Sequence, residues 1–319
     1  MRQDANTQPV NLSPMTARTV NAASDNIMPT LSPNGVWMVF ASNRDKYWEL
    51  YLASVDGRVL PRRLTFTKQL ERNPVWSPGG QSILYESQRD GNWELYRMDI
   101  SSGQEERLTF NAGDDTYARW SPDASQIVFQ SKRGKVSQIY LLNLQTKLIS
   151  KLSDGGGDDS QPVFAADGRH IAFRSVRSGN PNGVIWVKDV DGGAAAVSDP
   201  TQDASLPTWS SQGLLLAYQA AKDGLQAIEG YDAAAGTSFH WIAGELNAYA
   251  PTWGCDGKTL IVNIGMDGAA NIYVLEKLQP ETSPINSLDQ LAVMSSRPSV
   301  NLYNPFVGAN GQAWEQGVP

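Results

Sequence analysis

The sequence predicts an all-β protein, a six-bladed β-propeller with four-stranded antiparallel blades, and two observations lead to this prediction. A short turn motif close to Trp-Ser-Pro-x-Gly occurs in three copies at residues 31–35, 76–80 and 120–124 and in three degenerate copies further on, and each copy is followed by an apolar run typical of a buried strand. Successive copies are 44 or 45 residues apart when counted from their second residues, which are Ser32, Ser77, Ser121, Ala165, Ser210 and Gly254. We call these six the anchor residues. An even period of about this length is typical of propeller blades.

Each repeat divides into four predicted strands. The first is short and ends at the turn motif, and the second is an apolar run such as residues 83–85. The third carries Glu-Leu-Tyr at residues 49–51 and 94–96, and the fourth carries Arg-Leu-Thr-Phe at residues 63–66 and 107–110. Four antiparallel strands per repeat make one propeller blade.

The sixth repeat has no fourth strand of its own. Residues 18–20 (Arg-Thr-Val) stand as far before Pro29 as residues 63–65 (Arg-Leu-Thr) stand before Pro74. We therefore expect the N-terminal strand to complete the sixth blade, so that the ring is closed and no edge is left unpaired at the seam.

The predicted propeller spans residues 17–279. A polar tail, residues 1–16, precedes it, and a segment rich in Pro, Ser and Asn, residues 280–319, follows it. The single cysteine, Cys255, excludes an internal disulfide and a thiolate metal cluster. We expect a monomer.

Composition and charge exclude several classes of function. The net charge of −7 disfavours nucleic-acid binding, because phosphate backbones are repelled. No apolar run reaches the roughly 20 residues that a membrane-spanning helix needs, so we expect no membrane insertion. The first 16 residues lack an apolar signal-peptide core, and the chain is expected to be either cytoplasmic or the mature part of an exported protein.

Acids and bases recur where the repeat predicts one face of the propeller. We call this the top face: it carries the loops before the first strands and the loops between second and third strands. Its predicted acids are Asp25, Glu71, Asp115, Asp159 and Asp203, with Asn247 in the sixth repeat; Asp114 and Asp158 double two of them. Its predicted bases, twelve residues after each anchor, are Arg44, Arg89, Arg133, Arg177 and Lys222, with the neutral Met266 in the sixth repeat.

Two interpretations of these charges stay open. The sixth repeat loses its acid and its base together, which favours ion pairs that tie loop to strand. The doubled acids favour an acidic funnel for a cationic partner or a metal, because one arginine cannot neutralise two carboxylates.

Aromatic residues are predicted on the same face. Trp48 and Trp93 stand where the third strands begin, next to Tyr47, and Tyr117 is expected in a loop before a first strand. Trp, Tyr and Arg together are typical of protein-binding hot spots. The rings would also suit stacking on sugars, or could pack on neighbouring hairpins.

Catalytic signatures are missing from the sequence. His170 and His240 occupy different repeat positions and form no zinc motif, and there is no Gly-x-Ser-x-Gly elbow. We predict no cofactor and no catalytic residue. An alternative is an enzyme acting on carbohydrates or small molecules through channel carboxylates, which would require two acids of different pKa.

The repeat resembles the TolB-type propeller repeat (PD40, WD40-like). The resemblance rests on the turn motif, the apolar strand, Ser-x-Arg-x-Gly at residues 87–91, the Ile/Leu-Tyr pairs and the Leu-Thr pairs, and covers residues 17–279. It implies a propeller that binds a protein or peptide partner at the channel mouth, in the periplasm or at the cell surface. Other members of this group gate peptidases, so a sensor or gating domain of a larger assembly is a further alternative.

Overall fold

A computed structural model describes residues 25–242, 246–254, 257–266 and 269–275. These residues form six antiparallel sheets and contain no α-helix. Five sheets have four strands each, and the sixth has three described strands. The predicted four-stranded antiparallel sheets are therefore confirmed. Residues 18–20, which we expect to complete the sixth sheet, lie outside the described residues.

The strands follow the repeat from sheet to sheet. The first strands are β1 (Asn26–Leu31), β5 (Glu71–Trp76), β9 (Asp115–Trp120), β13 (Gly157–Phe164), β17 (Asp203–Trp209) and β21 (Ala248–Trp253). The second strands are β2 (Trp37–Ser42), β6 (Ser82–Ser87), β10 (Gln126–Ser131), β14 (His170–Arg177), β18 (Leu215–Lys222) and β22 (Leu260–Met266). The third strands are β3 (Glu49–Ser54), β7 (Glu94–Asp99), β11 (Gln138–Asn143), β15 (Gly183–Asp189), β19 (Leu225–Asp232) and β23 (Ala269–Leu275). The fourth strands are β4 (Arg62–Arg63), β8 (Glu105–Arg107), β12 (Ile149–Lys151), β16 (Ala194–Ala196) and β20 (Thr237–Ile242).

The hydrophobic core consists of layers between consecutive sheets. From the second sheet onward, each first strand packs against the preceding sheet, and the first strands of successive sheets contact one another. Leu50 and Leu64 of the first sheet, for example, pack with Trp76 and Tyr85 of the second. The second strands of the second to fifth sheets are buried on both faces, as the continuous apolar runs predicted, because these sheets have a neighbour on either side.

The repeated tryptophan of the turn motif links neighbouring sheets. The indole Nε1 of Trp76 donates to the carbonyl of Thr30 at 3.2 Å, across the boundary between the first and second sheets. Trp120 donates in the same way to Val75 at 3.3 Å, and Trp253 donates to Thr208 at 3.1 Å. In these three sheets the acceptor satisfies the N–H group of a buried indole.

The Leu-Thr pattern of the fourth strands has a similar cause. The Thr65 hydroxyl accepts a hydrogen bond from the Leu50 amide at 2.9 Å, and Thr109 accepts one from Leu95 at the same distance. The fourth strands β4 and β8 have only two and three residues, and the hydroxyl satisfies a third-strand amide that would otherwise be buried without an acceptor.

Every first strand contains a β-bulge four residues before its anchor. The pairing with the second strand shifts there in all six sheets. The residues at this position have left-handed φ values between 50° and 55°: Met28 (52°), Asn73 (55°), Tyr117 (53°), Gln161 (55°), Leu206 (53°) and Ala250 (50°). This conformation is uncommon for residues other than glycine and re-aims the side chain of the bulged residue.

Candidate functional site

The acids predicted on the top face occupy two adjacent positions of the repeat, and these positions have different roles. Asp25 and Asp203 stand seven residues before their anchors, as Asp114 and Asp158 do. Glu71, Asp115 and Asp159 stand six residues before theirs. The first group is exposed, whereas the second is fully buried, with exposed fractions of 0%.

The exposed acids hold the third strand of the preceding sheet. Asp114 accepts a hydrogen bond from the Trp93 amide at 3.0 Å, and Asp158 accepts one from Ser137 at 2.9 Å. Corresponding bonds join Asp203 to Gly183 at 2.7 Å and Asn247 to Gln226 at 3.2 Å. An amide oxygen therefore serves as well as a carboxylate, and the Asn of the sixth sheet keeps the same role. Asp25 instead exchanges hydrogen bonds with Asn43.

Glu71 is the buried acid with the most complete set of partners. It accepts hydrogen bonds from Thr67 at 2.7 Å and Ser87 at 2.9 Å, and its Oε1 lies 3.2 Å from Arg89. Burial raises the pKa of Glu71 to about 7, although Thr67, Arg89 and Ser87 each act to lower it.

The other two buried acids are held more loosely. Asp115 lies 3.9 Å from Arg133, and burial raises its pKa to about 6. Burial also raises the pKa of Asp159. The doublets Asp114-Asp115 and Asp158-Asp159 thus combine one backbone acceptor with one buried carboxyl group. Their second charge is not evidence of an acidic funnel.

The predicted pairing of each acid with the base of its own repeat is wrong in three sheets; in the fifth, Asp203 binds Arg174 at 2.8 Å and not Lys222. Arg44 donates to Asn26 at 2.7 Å rather than to Asp25, and both terminal nitrogens of Arg177 bind Asp154 at 3.1 Å rather than Asp159. The four arginines share a different contact, because each lies over an aromatic ring of its own third strand. The guanidinium-to-centroid distances are 4.5 Å for Arg44 and Tyr51, 4.2 Å for Arg89 and Tyr96, 4.2 Å for Arg133 and Tyr140, and 4.0 Å for Arg177 and Trp186.

The predicted aromatic residues are only partly available on the surface. Trp48 packs against the hydrophobic layer between the first two sheets, and Arg72 lies 3.8 Å from the ring of Trp93. Tyr117 lies within β9, at the bulge, and not in a loop; its amide donates to Glu86 at 2.7 Å. The apolar-residue pattern could not predict this position because the bulge interrupts the alternation of faces.

Two exposed phenylalanines on the top face were not selected from the sequence. Phe66 and Phe110 directly follow the Leu-Thr pairs and are 70% and 73% exposed. Arg63 lies 4.9 Å from the ring of Phe66, and Arg107 lies 4.8 Å from the ring of Phe110. The repeated Arg-Leu-Thr-Phe could have predicted this exposure, because its phenylalanine follows the end of a strand.

The two arginines beside these rings are fixed by hydrogen bonds. Arg107 binds the buried Glu94 at 3.0 Å and the carbonyl of Thr109 at 2.7 Å. Arg63 makes the same contacts with Glu49 and Thr65. The top face thus presents two matching Arg–Phe pairs, on the first and second sheets. Tyr47, 42% exposed, stands in the loop before β3.

Metal binding finds no support in the described part of the chain. No three His, Cys, Asp or Glu residues are grouped there so that they could hold a metal ion. His170 binds Asp167 at 2.6 Å and His240 binds Glu229 at 2.5 Å, so that each histidine is paired with a separate acid. No helix among the described residues is long and apolar enough to span a membrane.

Comparison with protein families identifies the class. The family model of the TolB beta propeller domain (PD40) matches residues 10–129 and 112–240. Because these matches cover well over half of the chain, the protein belongs to the TolB β-propeller family, as the repeat indicated. Comparison with curated protein sequences gives no match.

Solved structures of similar fold come from proteins of different function. TolB from Acinetobacter baumannii is 19% identical, with a TM-score of 0.59, over 80% of this chain and 61% of that one. Oligogalacturonate lyase from Vibrio parahaemolyticus is 12% identical, with a TM-score of 0.65, over 82% and 78%. A puromycin-hydrolyzing peptidase from Mycobacterium tuberculosis is 16% identical, with a TM-score of 0.64, over 83% and 47%. At these identities the likeness concerns the fold alone, and the chain spans less than two thirds of the TolB and of the peptidase.

Proposed function

We propose that this chain is a non-catalytic binding scaffold that holds a protein or peptide partner on its top face. In this proposal the six sheets are the blades of a propeller, and residues 18–20 close the ring. The protein is a monomer in this proposal. Because the TolB-type resemblance implies an envelope protein, we expect the partner in the periplasm or at the cell surface.

The observation that carries the proposal is the repeated Arg–Phe pair. Phe66 and Phe110 expose most of their ring surface, yet each is backed by an arginine that a buried glutamate holds in place. Exposed aromatic rings on a rigid support are typical anchors of protein interfaces, because little conformational entropy is lost when they are covered.

The exposed acids support the choice of partner. Asp114, Asp158 and Asp203 each use one carboxylate oxygen for a backbone amide and remain exposed on the same face. A partner with a few basic residues around an apolar centre would match this arrangement of aromatic anchors and peripheral carboxylates.

The alternative, an enzyme that acts on carbohydrates or small molecules, is less well supported. Glu71 and Asp115 have the raised pKa values that acid–base catalysis would need. Both side chains are nevertheless fully buried, and a substrate could reach them only after the sheets had separated. A gating domain of a larger assembly is compatible with the top-face site, since the assembly would then supply the partner.

The proposal is tested by affinity capture from an envelope extract of the source organism. The chain and its Phe66→Ala/Phe110→Ala variant serve as baits. The matched control is Leu60→Ala/Leu148→Ala, which removes two equally exposed apolar side chains from the opposite face. We expect one stoichiometric protein that the unmodified chain and the Leu control retain and the Phe variant loses. Equal retention by all three baits would contradict a top-face site.

A further inference from the structure

A pocket of about 190 Å³ lies between the third and fourth sheets, away from the Arg–Phe pairs. Its lining combines apolar and charged side chains: Leu152, Ser153, Asp154, Phe173, Arg177, Trp186, Lys188 and Ala194. An engineered apolar cavity of about 150 Å³ binds benzene, so this volume admits a ligand with one ring.

In the second sheet, side chains at the equivalent positions fill the space that is open in the fourth. Strand pairing sets Met98 opposite Glu105 in the second sheet and Lys188 opposite Ala194 in the fourth. Ala194 therefore occupies the position of Glu105, and Lys188 occupies that of Met98. Arg89 and Arg177 also correspond, because both stand twelve residues after their anchors.

In the second sheet, Glu105 supplies a carboxylate to its arginine. Its Oε2 accepts a hydrogen bond from Arg89 Nη1, and Arg89 Nε donates to Ser87 at 2.8 Å. The position is thus closed by a carboxylate that belongs to the chain itself.

In the fourth sheet Ala194 leaves the space of the Glu105 side chain unfilled, Asp154 supplies the carboxylate to the terminal nitrogens of Arg177, and two other donors are left over. Arg177 Nε and Trp186 Nε1 are buried, and neither has a hydrogen-bond acceptor among the described residues. Buried donors without an acceptor are uncommon and costly. Asp154 satisfies only the two terminal nitrogens of Arg177, and it is 60% exposed.

The charge of the pocket has also changed toward binding an anion. Lys188 replaces the neutral Met98, and its ammonium group uses one hydrogen bond for the Gly192 carbonyl at 2.7 Å. An ammonium group has two further donors. Leu152, Phe173 and Ala194 supply apolar surface beside these donors.

We propose that this pocket binds a small organic carboxylate with an aromatic or other apolar body. The ligand enters the space that the Glu105 side chain fills in the second sheet, and its carboxylate accepts hydrogen bonds from Arg177 Nε and Trp186 Nε1 and is attracted by Lys188. Its apolar body packs against Leu152, Phe173 and Ala194. Charged hydrogen bonds of this kind are stronger than neutral ones, which favours a carboxylate over an amide or alcohol.

The test uses phenylacetate as the probe and isothermal titration calorimetry on the full chain. We expect saturable binding of phenylacetate and none of the neutral phenylacetamide. Ala194→Glu restores the internal carboxylate of the second sheet and should weaken phenylacetate binding at least tenfold. Ala195→Glu adds the same charge to the opposite face of β16 and should leave binding unchanged, because successive strand residues point to opposite faces.

Each outcome decides the proposal. Thermal unfolding checks that both variants fold; if Ala194→Glu does not, Lys188→Met, which carries the residue of the second sheet, should weaken binding instead. An unmodified chain that does not bind phenylacetate would overturn the proposal. Equal loss in Ala194→Glu and Ala195→Glu would also overturn it, because a general charge effect would then explain the binding.

Discussion

The carboxylate of Glu71 is fully buried and lies 3.2 Å from the guanidinium of Arg89. Thr67, which follows the last strand of the first sheet, donates to the same carboxylate, so the group joins two sheets. Asp115 takes the corresponding place at the boundary between the second and third sheets, where Asn111, which follows the last strand of the second sheet, donates to it and Arg133 lies 3.9 Å away. These acids stabilise the contact between sheets, and this role leaves the exposed aromatic residues as the candidates for partner binding.

Removing Arg89 should destabilise the fold. We expect Arg89→Met to lower the free energy of unfolding at pH 8 by about 3 kcal/mol, because a buried charge loses its partner. Urea denaturation followed by tryptophan fluorescence measures the change. The matched control is Arg58→Met, which breaks an exposed pair with Asp56 and should cost about 0.5 kcal/mol or less. Equal effects of the two substitutions would contradict a structural role of the buried pair.

Stability should fall as the pH rises from about 4.5 to about 7. The pKa of Glu71 is about 7 in the folded chain against an ordinary 4.5, and that of Asp115 is about 6 against 3.8. Between these values the folded state holds more protons than the unfolded state, so raising the pH favours unfolding. The difference for Glu71 corresponds to about 3 kcal/mol.

The Glu71→Gln/Asp115→Asn variant should flatten this dependence. Urea midpoints measured from pH 4.5 to pH 8 provide the test. Glu106→Gln is the control: its hydrogen bond with Lys147 lowers the pKa of Glu106, so its stabilisation is lost only as the pH falls below about 4.5. A double variant with the same slope as the unmodified chain would refute the assignment.

The indole hydrogen bonds between sheets should contribute measurably to stability. Trp120→Phe removes the donor to Val75 and should cost about 1 kcal/mol beyond the change in packing. The control is Trp209→Phe at the same repeat position, since the Nε1 atom of Trp209 has no acceptor in the described structure. The phenylalanine of the fourth sheet, Phe164, shows that the position accepts this ring. Identical losses for the two variants would argue against the hydrogen bond.

The hydrogen bond from the Trp93 amide to Asp114 should need an oxygen acceptor on residue 114 but not a negative charge. Asp114→Asn is expected to change the free energy of unfolding by no more than about 0.5 kcal/mol, because Asn247 accepts the equivalent hydrogen bond in the sixth sheet. Asp114→Ala should cost about 1 kcal/mol, because the Trp93 amide loses its acceptor. If the Asn and Ala variants are destabilised alike, the charge matters more than this geometry implies.

The repeat period was sufficient to predict the strands, because the anchor residues fix where each first strand ends and each second strand begins. The same register could have separated Asp114 from Asp115, but grouping by charge placed Glu71 and Asp203 in one set although they differ by one position. In a strand, one position changes the face on which a side chain lies.

Other features could not be predicted from the pattern. The bulge at Tyr117 depends on backbone geometry that residues of many types adopt at the equivalent positions. The exposure of Phe66 depends on how far the fourth strand extends, and β4 has only two residues. Because β4 is so short, the Thr65 hydroxyl accepts the hydrogen bond of the Leu50 amide in place of a backbone carbonyl of the fourth strand.

The central claim, that Phe66 and Phe110 anchor a partner, is tested most directly by photocrosslinking in the source organism. A photoreactive phenylalanine analogue is placed at position 66, at position 110, or at the opposite-face position 60. We predict one adduct of the same size from positions 66 and 110, with none of that size from position 60. No adduct from positions 66 and 110, or the same adduct from all three positions, would contradict the claim.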